Sequence, residues 1–401
     1  PRVDLLDPMV QPYAWGSRTV LAELQGRQAP TAGPEAELWM GAHPSAPSGL
    51  DRGGVRTTLD AVVAADPAGE LGAECARRFG GRLPFLLKVL AAEQALSIQV
   101  HPSRAQAEAG FREETERGLP PGDKARNYVD DWPKPEILCA LTPFEVLAGM
   151  RTAADAAQLL RELGVGELEP VAADFAAAPV PEALTAALGR VLNWPAEGRA
   201  ALVAAVVAAC ERLAAADSGY AAAAQAIVRL GAEHPGDLGV VAALLLRHAV
   251  LRPGQAVFLP AGGLHSYLHG TGVELLANSD NVVRAGLTGK HIDVPELLRL
   301  TDPTVPVPVI EPRPLGDGVF AYDSPAPEFR LYLAELSAAT VALPGGGPRL
   351  VLCAGGTATL RSAGGELTVR RGESCFLPAA DGAVTASGQA VIFLAESGIN
   401  C

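Results

Sequence analysis

No run of lysine or arginine and no basic stripe occurs anywhere in the 401 residues, and the formal net charge is -13. A nucleic-acid partner is therefore not expected, and an anionic ligand would need positive charge gathered locally against that background. The six cysteines, Cys75, Cys139, Cys210, Cys353, Cys375 and Cys401, show no C-x-x-C spacing. A chain this long needs no disulfide staples, so reduced thiols in a cytoplasmic protein are expected. The opening residues Pro1-Arg2-Val3-Asp4 carry no apolar stretch of the secretory type, so no signal peptide is expected. The longest apolar runs, 201–210 and 240–246, are too short to span a bilayer. Nothing resembles a nucleotide-binding fingerprint, which argues against a fused nucleotidyl transferase. No feature of the sequence reads oligomeric state, and a monomer is taken as the default. With 49% hydrophobic residues, the chain has ample material for two or three cores.

What is present divides the chain into β-rich and helical parts. Residues 1–150 mix short apolar runs with glycine and proline, which suits short strands joined by turns, with helix between 59 and 79. A polar loop is expected over 111–131. From 152 to 251 alanine and leucine recur at helical spacing, predicting helices over 152–163, 181–192, 196–216, 219–231 and 237–251, with Thr152 as an N-cap. β character then returns, and the chain repeats itself: residues 252–261 and 370–379 share Arg, Gly and the ending Phe-Leu-Pro-Ala. Two barrels of one design are expected. The first copy continues to His265, where the second has Ala383. Residues 318–401 contain no histidine and look structural, with hairpin turns at Gly345-Gly-Gly347 and Gly364-Gly365. The expected fold is mainly β with an all-helical insert. The expected domains are a discontinuous metal-binding barrel (1–150 and 252–317), the insert (151–251) and a second barrel without metal ligands (318–401).

The stretch Ser97-Ile-Gln-Val-His-Pro102 carries the chemistry. As a strand it places Ser97, Gln99 and His101 on one face and Ile98 and Val100 on the other. The hydrophobic run 83–90 before it puts the polar face inside a barrel or at its mouth, where a glutamine and a histidine need partners. A hydrogen-bonded core pair is the bland reading, and a metal site is the sharper one. His265 and Tyr267 share a strand face. Beyond a turn at 269–272, residues 273–276 are expected to return as a hairpin partner carrying Glu274. With Glu136 from Lys134-Pro-Glu136, the candidate ligands are Gln99, His101, Glu136 and His265, drawn from three strands. One carboxylate leaves a divalent ion with a residual charge of about +1, so it stays a Lewis acid. These donors suit Zn²⁺ or a neighbouring divalent metal. Taken singly, each has an ordinary alternative, Glu136 as an ion-pair partner of Lys134 for example. Lys88, Lys134, Arg284 and Lys290 gather near the same segments and suit a phosphate-bearing ligand, against the alternative of solvated surface charge, strongest for Lys290.

At these residues the chain resembles the type I mannose-6-phosphate isomerases of the cupin superfamily. The resemblance is carried by Gln11-Pro-Tyr-Ala-Trp-Gly16, Glu37-Leu-Trp-Met-Gly41, Pro84-Phe-Leu-Leu-Lys-Val-Leu90, Leu96-Ser-Ile-Gln-Val-His-Pro102, Asn127-Tyr128, Lys134-Pro-Glu136, Leu259-Pro-Ala261, His265-Ser-Tyr267 and Ser279-Asp-Asn-Val-Val-Arg-Ala-Gly-Leu-Thr288. It implies cupin (jelly-roll) barrels and one Zn²⁺ per chain, held by Gln99, His101, Glu136 and His265. It also implies reversible conversion of mannose 6-phosphate to fructose 6-phosphate through a cis-enediol. Arg284 would be the catalytic arginine, with Glu274, Tyr267, Lys88, Lys134 and Lys290 lining the pocket and Ser97 beside the substrate. The proton-transfer base stays open between Glu274 and a hydroxide on the metal, with Lys134 assisting. Two departures stand out: Trp132-Pro133, where several relatives carry Asn-His, and a short loop over 289–293, which leaves the phosphate contacts open. Other classes remain: an iron-dependent dioxygenase, for which the glutamine and the cations would be unexplained, and a sugar-phosphate sensor without turnover.

Overall fold

A computed structural model describes residues 3–401. Pro1 and Arg2, part of the stretch read for a leader, lie outside them. Most strands fall into an eleven-stranded and a nine-stranded sheet, with a separate hairpin of Gly49–Arg52 and Val55–Thr58. Among the described residues no helix is long and apolar enough to cross a membrane.

The larger sheet is organised around the strand His265–Ala277. Its first residues pair with Phe144–Met150, and His265 also stands opposite Gln99. Its later residues lie between Phe85–Ala92 and Glu136–Ala140. The expected hairpin at 269–272 is therefore a bend within one continuous strand. A register shift between Tyr267 and His269 marks the bend, and Gly270 has φ +131°, a conformation that disfavours side chains. The glycines redirect the chain across the sheet without reversing it.

The helices expected over 152–163, 181–192, 196–216 and 219–231 are present as Ala153–Leu163, Pro181–Leu192, Ala196–Ala214 and Ala221–Glu233, and the Thr152 hydroxyl accepts from the Asp155 N–H as a cap. A further helix, Glu169–Ala177, was not anticipated. The reading of 237–251 as helix is corrected: only Gly239–Ala242 is α-helical, and Leu246–Leu251 is a strand paired antiparallel with Phe144–Met150. A short leucine-rich run has no periodicity that separates buried helix from buried strand, and tertiary pairing decides. The helical stretch thus leaves and rejoins the sheet at two neighbouring strands. Part of the expected polar loop is also helix, Arg104–Glu116, started by a reciprocal capping box between Ser103 and Gln106.

Ile98 and Val100 are fully buried in the hydrophobic cluster built mainly by the helices, with Leu160, Leu188, Val206 and Ile227. This packing fixes the strand's rotation and turns Gln99 to the opposite side.

The nine-stranded sheet holds the second copy of the repeat. Ala256–Leu259 and Ser374–Leu377 are the equivalent strands. Opposite Leu259 stands Glu136, and opposite the equivalent Leu377 stands Arg349. Arg349 is completely buried, donating to the carbonyls of Gly345, at 3.3 Å, and Gly382. The Gly364-Gly365 hairpin is as expected, between Arg349–Ser362 and Gly365–Arg370. The Gly345–347 turn is not a hairpin, because Val341–Ala342 pairs with Thr385–Glu396 instead of with the strand that follows it. Asp4–Leu6, placed with the first barrel by sequence order, pairs with Ser374–Leu377 in this sheet, and Arg313–Gly316 joins it as well.

The expectation of six free thiols is also corrected. Cys75 and Cys401 are disulfide-bonded, with Cα atoms 5.1 Å apart, while Cys139, Cys210, Cys353 and Cys375 are free and buried. The last residue lies against Gly72 and Gly347, where added Cβ atoms would approach it within 3.1 and 2.8 Å. A pairing across 326 residues leaves no spacing signal.

Candidate active site

His101, just beyond Ile98–Val100, and His265, at the start of the long strand, converge with Glu136, the first residue of its own strand. All three are at most 4% exposed. The His101 Nδ1 lies 2.7 Å from the Asn281 carbonyl, and the His265 Nδ1 lies 2.8 Å from the Gly263 carbonyl. Each carbonyl takes an Nδ1–H, so each Nε2 presents its lone pair. Those lone pairs face one carboxylate: Nε2 to Glu136 oxygen is 3.4 Å from His101 and 3.5 Å from His265. Neither Nε2 has a hydrogen-bond partner among the described residues, although both are buried. Two orphaned imidazole nitrogens and a carboxylate, with ligand atoms all within 4.8 Å of one another, fit a divalent cation of the zinc type. Gln99 stands in register opposite both His265 and Arg284, beside the three.

The protonation states agree with ligation. Burial lowers the His101 pKa, outweighing the attraction of Glu136, so the ring stays neutral. Burial alone would raise Glu136, but His101, His265 and Lys134 hold it well below the usual carboxylate range. The Lys134 Nζ is 3.8 Å from Glu136.

Above this centre opens a cavity of about 540 Å³, within the roughly 300–1,000 Å³ of small-molecule sites. Ser97, Gln99, Glu136, Lys88, Lys134, Tyr267, Glu274, Arg284 and Lys290 all line it, with His101 and His265 buried behind Glu136. Lys88 and Glu274 are cross-strand partners. The Lys88 ammonium lies 3.9 Å from Glu274, 3.5 Å from Glu37 and 4.6 Å from the centre of the Trp39 ring. Burial works against the charge, but Glu37 and Glu274 prevail and raise its pKa. Glu274 is pushed up to about 8, first by burial and then by Glu136, with Lys88 only partly offsetting them. The Tyr267 phenol is raised by burial and by the Glu274 and Glu136 charges, so it stays a neutral donor.

Arg284 and Lys290 differ from the other two cations. Burial alone lowers the Arg284 pKa, and burial together with Arg284 lowers that of Lys290. No carboxylate among the described residues offsets either. This end of the cavity therefore has uncompensated positive charge that an anion would neutralise.

Several lining residues escaped sequence reasoning as pocket residues. Glu37 and Trp39 alternate with the buried Leu38 and Met40, a period-two signal that was available in Glu37-Leu-Trp-Met40. Asp280 holds the His43 Nε2 at 2.9 Å from the cavity wall. Asn281 was part of a motif but had no role. Its side-chain carbonyl accepts from the Val129 and Asp130 N–H groups, its amide donates to the Asp130 and Trp132 carbonyls, and its own carbonyl orients His101. One buried asparagine thus ties the 129–132 loop to a metal-facing histidine.

Two family models match the chain: phosphomannose isomerase type I, catalytic domain, over residues 4–153, and mannose-6-phosphate isomerase, cupin domain, over 326–396. The mannose-6-phosphate isomerase of Escherichia coli K12 is 38% identical over 382 residues, covering 94% of this chain and 95% of that protein. The chain belongs to the type I phosphomannose isomerase family. The Bos taurus mannose-6-phosphate isomerase is 33% identical, with 94% of each chain covered. Among solved structures, mannose 6-phosphate isomerase from Salmonella typhimurium bound to fructose 6-phosphate and zinc superposes with a TM-score of 0.90 at 35% identity, covering 100% of both chains. Within this type I phosphomannose isomerase, the departure at Trp132-Pro133 has a structural use. Trp132 is buried against Phe79, with its ring 4.4 Å from the Arg82 guanidinium, and does not line the cavity.

Proposed function

We propose that the chain interconverts D-mannose 6-phosphate and D-fructose 6-phosphate by moving a proton between C1 and C2 through a cis-enediol. One observation carries this reading: a buried His101–Glu136–His265 centre shares a single cavity with a carboxyl poised near neutrality and with two cations that lack carboxylate partners. Gln99, His101, Glu136 and His265 would hold one zinc ion, which supplies Lewis-acid stabilisation of the charge that develops on the sugar oxygens. Glu274, as the carboxylate, takes the C2 proton and returns it to C1, and its position near Lys88 and Tyr267 orients it for both transfers. Lys134 moves a proton among the oxygens. Arg284 sets a fixed cation beside the developing enediolate. Ser97 and Tyr267 place the sugar, and Lys290 lies at the anionic end.

The proposed architecture follows the chemistry. Residues 1–150 and 252–317 form the catalytic cupin barrel, apart from Asp4–Leu6 and Arg313–Gly316, which pair in the other sheet. Residues 151–251 are a helical insert, and residues 318–401 are a second barrel without histidines.

A coupled assay for fructose 6-phosphate formation tests the reading directly. Activity should fall to background after chelation and return when zinc is added. Turnover that survives complete removal of metal would refute it. Arg284→Ala should retain zinc and lower turnover by about a hundredfold or more, the usual scale for losing one electrostatic stabiliser. Wild-type turnover in that variant would remove Arg284 from the mechanism.

A further inference from the structure

The helical stretch contributes one side chain to the cavity, His234, at the end of the helix Ala221–Glu233. Its position is fixed on both sides. The Glu233 carboxylate accepts from the Ala95 N–H at 3.2 Å, just before Ser97. The Asp237 carboxylate accepts from the Thr288 N–H at 3.3 Å, between Arg284 and Lys290. Gly239 then packs directly on Gly286: a Cβ at Gly239 would lie 2.6 Å from the Leu287 nitrogen, and one at Gly286 would lie 2.5 Å from the Gly239 Cα. The segment 233–239 therefore bridges two walls of the cavity and carries His234 between them. Its half-buried ring has no hydrogen-bond or ion-pair partner among the described residues, whereas the rings of His43, His101, His248 and His265 each have one. Lys88 and Lys134 are engaged by carboxylates, so the groups left for an anion are Arg284, Lys290 and this imidazole.

We infer that His234 is a phosphate-contacting residue, through which the helical stretch helps to select phosphorylated over neutral sugars. The inference rests on the sugar-phosphate reading given above. An imidazole N–H donated to a phosphate oxygen is a charge-assisted bond, and its loss should weaken binding about tenfold.

The test uses the zinc-loaded, full-length protein, with inorganic phosphate and a neutral hexitol as competing inhibitors. In His234→Ala, KM for mannose 6-phosphate and the inhibition constant of phosphate should both rise about tenfold. The kcat, zinc content and inhibition by the hexitol should stay as in wild type. His234→Gln, which keeps a donor, should recover most of the loss, and His234→Glu should deepen it. A purely structural role would move hexitol inhibition or zinc content along with KM and would overturn the inference. So would a KM and a phosphate constant in His234→Ala within twofold of wild type. A wild-type enzyme indifferent to phosphate would instead overturn the underlying sugar-phosphate reading, and this inference with it.

Discussion

His101→Ala and His265→Ala should each fail to retain zinc and should lose three or more orders of magnitude in activity, since Lewis-acid stabilisation is worth several kcal/mol. Each ring holds its Nδ1–H on a backbone carbonyl and offers Nε2 to the shared centre, so no neighbouring donor replaces the lost one. Metal content by elemental analysis and turnover by the coupled assay should fall together. A variant that keeps stoichiometric zinc would show that its histidine is only a core residue.

Glu274→Gln should bind zinc normally and lose about a hundred- to ten-thousandfold in kcat, the range for removing a positioned general base. Exchange of the C2 hydrogen with solvent should disappear as well, and near-normal exchange would exclude Glu274 as the base. The pH dependence gives an independent check. Because Glu274 is pushed up to about 8 by burial and by Glu136, the carboxylate form proposed as the base is gained as pH rises, and kcat/KM of the wild type should rise on its acid limb. A cation bound to Glu136 removes part of that repulsion, so the limb of the zinc-loaded enzyme should lie below 8. Stability runs the other way. A folded pKa raised above the ordinary 4.5 contributes stability that is full below 4.5 and is lost as pH climbs through about 8. Between pH 5 and 8 the metal-free wild type should therefore weaken relative to Glu274→Gln, which stays neutral throughout. Denaturant midpoints of the two proteins measure this. Parallel curves would mean that Glu274 titrates normally.

The parts of the site that follow strand alternation were legible in the sequence. Ser97 and Gln99 face the cavity because Ile98 and Val100 must be buried, and that needs only a period of two. Glu136 and His265 were found as residues, but their meeting depends on a strand that bends at Gly270, and the same glycines read locally as a turn. Leu246–Leu251 illustrates the same limit, since its partner strand about a hundred residues earlier decides its conformation. Glu37 carries a readable signal in its alternation with Leu38. His234 had none: its place in the cavity comes from contacts of Glu233 and Asp237 with segments distant in the chain. The Cys75–Cys401 bond is likewise a product of where the last residue packs.

The register place held by Glu136 in one sheet belongs in the other to Arg349. A buried cation of the chain itself thus stands where the other sheet places a carboxylate for a cation from solution. The guanidinium arrives with the chain and cannot be chelated, diluted or exchanged, so the nine-stranded sheet is complete once it has folded. The eleven-stranded sheet instead gathers His101, Glu136 and His265, donors that suit a divalent ion. One register place is thus filled by a cationic side chain in one sheet and by a carboxylate suited to metal ligation in the other.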